Sequence, residues 1–287
     1  MTKSTTSNHE NHDRDADLSI DPEWTTRILT DFISTELHRA GFRRMLIGLS
    51  GGIDSALAAM LAARALGPEA VLGIRLPYRS SSPESLTDAQ ALADAAGIRL
   101  ETLDISPIVD AVAQSAPKIT PLRLGNVMAR ARMIVLFDCS ARDKALVLGS
   151  SNKSELLLGY GTLYGDLAAA INPLGDLYKT QVRALARHLG VPEPILNKPP
   201  SADLWPDQSD EDELGVTYDE ADRLLALLVD ARVEREAVIE RGFSAEKVDH
   251  VWNLVVRSQF KRRPTLIAKV SARSLGADFR YPRDWKS

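Results

Sequence analysis

Apolar positions along the chain switch between two periods. Ile28, Leu29, Phe32, Ile33 and Leu37 recur at helical spacing behind Asp21 and Pro22, so a capped helix is expected to run to about Ala40. Arg44–Ser50 follows with a continuous apolar middle, the pattern of a strand buried on both faces. A helix over about Asp54–Leu66, a strand at Val71–Leu76, a helix opened by Ser82 and Pro83, and a strand near Leu100–Asp104 continue the alternation. A long helix from about Leu124 to Ala141 leads into a fourth strand, Lys144–Gly149. Such βαβ repetition predicts an α/β fold, a doubly wound parallel sheet whose ligands bind at the carboxyl ends of the strands. Beyond Gly175 the pattern turns helical, over about 176–189, 218–241 and 245–260, with a proline-rich break at 192–200. Additional carboxy-terminal helices are therefore expected beside the sheet.

Composition narrows the class. With 287 residues, 44% hydrophobic and 26% charged, the chain is expected to build one large globular domain. A single cysteine, Cys139, excludes an intrachain disulfide framework and a four-cysteine zinc site, which fits a reducing compartment and a cytoplasmic location. No apolar run is long enough to span a bilayer, so no membrane partner is expected.

Charge divides unevenly. Residues 1–20 are polar and acidic and read as a disordered tail, 21–265 as the folded domain and 266–287 as a basic carboxy-terminal tail. Residues 205–222 hold eight acids and no base, whereas residues 257–287 hold nine lysines or arginines against Asp278 and Asp284. The basic stretch suits small polyanions; with no interleaved aromatics or recognition motif, no nucleic-acid partner is expected.

The segment Leu49-Ser50-Gly51-Gly52-Ile53-Asp54-Ser55 lies between a strand and a helix. Two glycines admit close backbone approach, and a helix amino terminus presents unpaired N–H groups, which together suit phosphate. It lacks the Gly-Lys-Ser/Thr of the Walker pattern and the third glycine of a dinucleotide fingerprint. An acid within a phosphate cradle is costly unless a cation intervenes, so Asp54 reads as a magnesium ligand, with simple helix capping as the alternative.

Ser50-Gly-Gly-Ile-Asp-Ser55 resembles the pyrophosphate loop of the adenine-nucleotide α-hydrolase-like enzymes. Gly125-Asn-Val-Met-Ala-Arg-Ala-Arg-Met133, Leu148-Gly-Ser-Ser-Asn-Lys-Ser-Glu155, Tyr164-Gly-Asp166, Asn172-Pro-Leu-Gly175, Lys179, Lys198-Pro-Pro-Ser-Ala-Asp-Leu204 and Gln208-Ser-Asp-Glu211 with Glu213-Leu-Gly215 extend the match from about residue 23 to 265. Together these blocks resemble the ammonia-dependent NAD synthetase family.

The resemblance implies a ligase that forms NAD from deamido-NAD, ATP and ammonia through an acyl adenylate, as a homodimer. It implies ATP contacts from Gly48, Leu49, Ser50, Gly51, Gly52, Ile53, Asp54, Ser55, Ser150, Lys179 and Ser201, and Mg2+ at Asp54 and Glu155. Asp54 and Lys179 would carry the catalysis, and Asn126, Arg130, Asp166 and Lys261 would bind deamido-NAD. Blander readings remain beside these: Glu155 as a helix-start charge, Ser150 as a strand-end cap and Asp166 as a loop cap. Leu163 stands where many members have lysine, Ala170 where a second acid is expected and Phe260 where a histidine is usual. The acidic segment 205–215 reads as a lid that is mobile without ligand. Other pyrophosphate-loop ligases, or a nucleotide-binding regulator without turnover, are the alternative readings.

Overall fold

The computed structural model describes residues 16–274 apart from 202, 206, 207 and 264. Four parallel strands, β1 (Met45–Gly48), β2 (Val71–Arg75), β3 (Arg99–Thr102) and β4 (Leu146–Val147), form one sheet in the order β3-β2-β1-β4. The chain winds outward from β1 to β3 and then returns to the other side of β1. That reversal creates a crevice between the carboxyl ends of β1 and β4, the place where open α/β sheets bind ligands.

Alternation along β1 explains why helices cover both faces. Met45 and Ile47 pack with Leu57, Leu61, Val182 and Leu185, whereas Leu46 packs with Met128, Ala131 and Cys139 on the opposite face. The first face carries α1 (Pro22–Arg39), α2 (Ile53–Leu66) and α7 (Lys179–His188). The second carries α4 (Ser106–Gln114) and α5 (Pro121–Asp143), while α3 (Pro83–Ala96) packs beside β2 and β3. A second core joins α6 (Lys153–Leu158) to α10 (Tyr218–Leu225), α11 (Arg235–Glu240) and α12 (Ala245–Arg257) around the fully buried Tyr218. Two short helices, α8 (Glu193–Leu196) and α9 (Asp210–Leu214), complete the chain. No helix among the described residues is long and apolar enough to cross a membrane.

Several boundaries differ from the sequence expectation. The fourth strand is shorter: Lys144 takes a positive φ at the end of α5, and Leu148, whose N–H still donates to the Leu46 carbonyl, already bridges Ile171. The expected helix 218–241 is broken by a wide turn at Ala226–Asp230 and a positive φ at Arg232. In α1, Ile33 and Leu37 are buried but Ile28 and Phe32 join Trp24 on an exposed stripe. The expected tail 1–20 lies outside the described residues up to residue 15. Residues 16–20 are packed instead, with Ala16 and Leu18 against the second core and Ile20 against the first. Of the basic tail, 266–274 is irregular and mostly exposed, and the remainder lies outside the described residues.

Candidate active site

Helix starts converge on the crevice. After β1 the chain turns through Leu49–Gly52 into α2, whose first turn holds Asp54. Gly51 sits at φ +79°, and a Cβ there would come within 2.5 Å of the Ser85 carbonyl oxygen, so only glycine lets the loop pass this close to α3. Ser55 Oγ donates to the Gly52 carbonyl at 3.0 Å and lies 3.1 Å from Ser50 Oγ, which closes the loop on itself.

After β4 the chain enters α6 through Asn152-Lys-Ser-Glu155, a capping box. Glu155 N–H donates to Asn152 Oδ1 at 2.9 Å, and Asn152 N–H returns a bond to Glu155 Oε2 at 3.2 Å. Asn152 is fully buried, and its Nδ2 donates to Asp54 Oδ1 at 2.8 Å, which ties the two loops together. Lys179, the first residue of α7, inserts its ammonium between the carboxylates, with Nζ 2.5 Å from Asp54 Oδ2 and 3.1 Å from Glu155 Oε1. Beneath it the buried Asp222 accepts from Ser154 Oγ and from Thr180 N–H, and Ser154 Oγ accepts from Lys179 N–H. The base of the lysine is therefore fixed as firmly as its tip.

Burial, and then the charge on Asp54, push the Glu155 carboxyl up to about 8 against the pull of Lys179. Burial opposes the charge on Lys179, but Asp54 and Glu155 outweigh it and raise its pKa. Asn152 N–H on Glu155 Oε2 and Lys179 Nζ on Oε1 favour the charged form, and so oppose the upward shift without cancelling it.

These groups line a cavity of about 640 Å³ that also takes in Gly48, Leu49, Ser50, Gly52, Ile53, Ser55, Ser150 and Ser201. Asn126, Asp166 and Lys261 lie on its wall as well. Asn126 Oδ1 accepts from Thr162 Oγ1 at 2.8 Å, Asp166 Oδ1 accepts from Thr162 N–H at 2.9 Å, and Lys261 Nζ donates to the carbonyls of Gly159 and Gly161 at 2.7 Å. Burial raises the Asp166 pKa, opposed by these bonds and by Lys261. Two expected site residues are not part of the wall. Gly51 packs behind the loop, and Arg130 is exposed, with Nη2 on the Leu163 carbonyl at 3.3 Å.

Part of the acidic segment is helical. Helix α9 is capped by Ser209, and Asp210 is buried, accepting from Tyr160 OH at 2.8 Å and from Tyr218 OH at 3.5 Å. Sequence reading missed Asn152, Asp210, Tyr160 and Tyr218 as parts of the site. The capping-box spacing of Asn152 and Glu155 was an available signal for the first; the phenols carry none.

A parallel sheet with a glycine-rich loop at its switch point, two carboxylates and a lysine defines an α/β nucleotide-binding enzyme of the pyrophosphate-loop kind. More narrowly, the NAD synthase family model matches residues 25–265, and the chain belongs to that family. It is 53% identical over 270 residues to the NH(3)-dependent NAD(+) synthetase of Chlorobium phaeobacteroides, covering 94% of this chain and 98% of that protein. Among solved structures it resembles NMN synthetase from Francisella tularensis (TM-score 0.78, 34% identity, 87% and 99% of the two chains). It also resembles NH3-dependent NAD synthetase from Campylobacter jejuni (TM-score 0.74, 35% identity, 87% and 100%). Against the glutamine-dependent NAD+ synthetase of Acinetobacter baumannii, 90% of this chain matches 49% of that one (TM-score 0.65, 31% identity).

Proposed function

We propose that the chain makes NAD by joining ammonia to deamido-NAD at the expense of ATP. The observation that carries this reading is the convergence of Asp54, Glu155 and Lys179 beside the Gly48–Ser55 loop, in a cavity whose far wall holds Asn126, Asp166 and Lys261. Family membership and full-length similarity to proteins named for ammonia support the nitrogen source.

In the reaction, a carboxylate oxygen of the nicotinate ring attacks the α-phosphorus of ATP, the bond to the β-phosphate breaks, and pyrophosphate leaves. Ammonia then attacks the acyl carbon, the bond to the phosphoryl oxygen breaks, and AMP departs with the electron pair while nitrogen loses a proton. Neither step needs a protein nucleophile, so positioning and charge carry the catalysis. The Gly48–Ser55 loop, with Ser150 and Ser201, holds the nucleotide, and the Lys179 ammonium draws the departing pyrophosphate. Asn126, Arg130, Asp166 and Lys261 hold deamido-NAD.

The donor set of Asp54 and Glu155 fits Mg2+. It offers oxygen donors only, as suits an ion that keeps waters and shares phosphate oxygens. When bound, Mg2+ neutralises phosphate charge.

The exposed Ile134 and Phe137 follow Arg130 along α5, an apolar face beside a half-finished binding group. A second copy of the chain covers this face and completes the deamido-NAD side. The buried Cys139 agrees with a reducing, cytoplasmic setting. Incubation of the purified chain with ATP, deamido-NAD, Mg2+ and ammonium should yield NAD, AMP and pyrophosphate in equal amounts. Glutamine in place of ammonium should yield almost none. Conversion of only the mononucleotide half of deamido-NAD, or efficient use of glutamine, would overturn the reading.

A further inference from the structure

Helix α5 serves both halves of the cavity, and one of its side chains is unaccounted for. Asn126 and Arg130 reach the 159–166 segment, on the β4 side. Two residues beyond Arg130, Arg132 turns the other way, and its Nε donates to the Leu76 carbonyl at 3.1 Å, one residue past the end of β2. One turn further along, Leu136 packs against Gly48, with its Cδ1 3.3 Å from where a Cβ on that residue would stand. Arg132 thus lies over the strand ends that feed the glycine-rich loop, on the wall of the cavity.

Its surroundings are unusual for a structural arginine. Among the described residues no acceptor engages either terminal nitrogen, and no carboxylate lies within ion-pair distance. Asp203 and Asp166, one from each side of the cavity, act on the guanidinium only through their fields. Neither terminal nitrogen is a buried, unpartnered atom; both open onto the cavity, where an anion can take them. A side chain needed only to pin α5 to β2 could spend a single neutral donor on Leu76, as glutamine can. A planar fork with its free edge toward a phosphate-binding cavity matches a phosphoryl group in shape and charge.

We infer that Arg132 holds the α-phosphoryl group where the two substrates meet, gripping its oxygens as pyrophosphate leaves and again as ammonia displaces AMP. This rests on the amidation reading above. It assigns to α5 a catalytic residue on the nucleotide side, distinct from Asn126 and Arg130.

The test is R132Q, which keeps a donor for Leu76 without the charge, beside R132K, R132A and the native chain. R132Q and R132A should lose about a hundredfold in kcat, the size of one missing oxyanion donor. Their KM values for ATP and deamido-NAD should move by less than about threefold. Pyrophosphate exchange into ATP, dependent on deamido-NAD, should fall in parallel, and R132K should lie between. Added guanidinium, but not sodium at equal ionic strength, should restore part of the R132A rate.

Three results would overturn the assignment: R132Q with kcat near native, a KM for deamido-NAD that rises while kcat is kept, or losses in all variants that follow thermal stability without guanidinium rescue. Failure of the native chain to form NAD would instead overturn the underlying reading, and the native control separates the two.

Discussion

The two halves of the cavity are built by different means. On the nucleotide side, Asp54, Glu155 and Lys179 stand on three helix starts, tied together by the buried Asn152 and anchored from below by Asp222. On the side proposed for the dinucleotide, Asn126, Asp166 and Lys261 depend on the irregular segment 159–166, where Tyr164 takes a positive φ, and the neighbouring Arg130 stands exposed. One half is closed by the chain itself. The other is held by bonds from Thr162 to Asn126 and Asp166 and from Lys261 to the carbonyls of Gly159 and Gly161. Charge explains the tighter half: a buried ammonium between two carboxylates tolerates no slack.

The comparison fails first if the nucleotide cluster is dispensable. Asp54→Asn and Glu155→Gln should each lower kcat by about two to three orders of magnitude while the fold survives, since Lys179 keeps one carboxylate. Lys179→Met is different. It removes the cation that both acids share, leaves the Asp54 carboxylate uncompensated beside Glu155, and should destabilise the chain by about 3 kcal/mol near pH 8. Circular dichroism and thermal melts separate the two outcomes.

The same cluster sets a pH dependence. Glu155 is raised in the folded chain from 4.5 to about 8, so its contribution to stability is fully present below the lower value and is lost as pH rises through the upper one. Melting temperature of the ligand-free native chain should fall between pH 5.5 and 8.5, and Glu155→Gln should flatten that fall. An equal slope in both would mean that Glu155 titrates as an ordinary surface acid.

On the open side the expected effects are smaller and fall on binding. Ile134→Asp with Phe137→Asp should convert a dimer to a monomer by light scattering and raise the KM for deamido-NAD about tenfold, leaving ATP binding intact. A native chain that is already monomeric would remove the partner copy from the site. Asn152→Ala tests the tie between the loops. Loss of the cap and of the bond to Asp54 should cost about 2 kcal/mol, with a severalfold drop in kcat.

Much of the nucleotide side was legible because its signals are local. The run Ser50–Ser55 places turn, helix start and acid within six residues, and the strand before it follows from an unbroken apolar stretch. What escaped depends on distant partners. Asp210 read as one of eight mutually repelling acids, yet Tyr160, fifty residues earlier, holds it buried. The break at Ala226–Asp230 was invisible because apolar spacing continues through it, while Asp230 is held by Tyr178 and Lys153 from another part of the fold. Helix α4 hid behind Pro107, although Asp104 Oδ1 accepting from Ser106 N–H marks its start.

The smallest expected effect concerns Lys261, the last residue of the open side. Its ammonium joins the carbonyls of Gly159 and Gly161, so it holds the turn that leads into Thr162 and Asp166. Burial lowers its pKa, and Asp166 opposes that shift only in part. Lys261→Met removes both bonds and should cost about 1 kcal/mol, because each replaced a bond to water. The KM for deamido-NAD should rise about threefold, the KM for ATP should not move, and Lys261→Arg should recover most of the loss. A shift in the ATP value of equal size would show that the 159–166 segment and the nucleotide cluster respond as one unit, and the division between a closed and an open half would have to be given up.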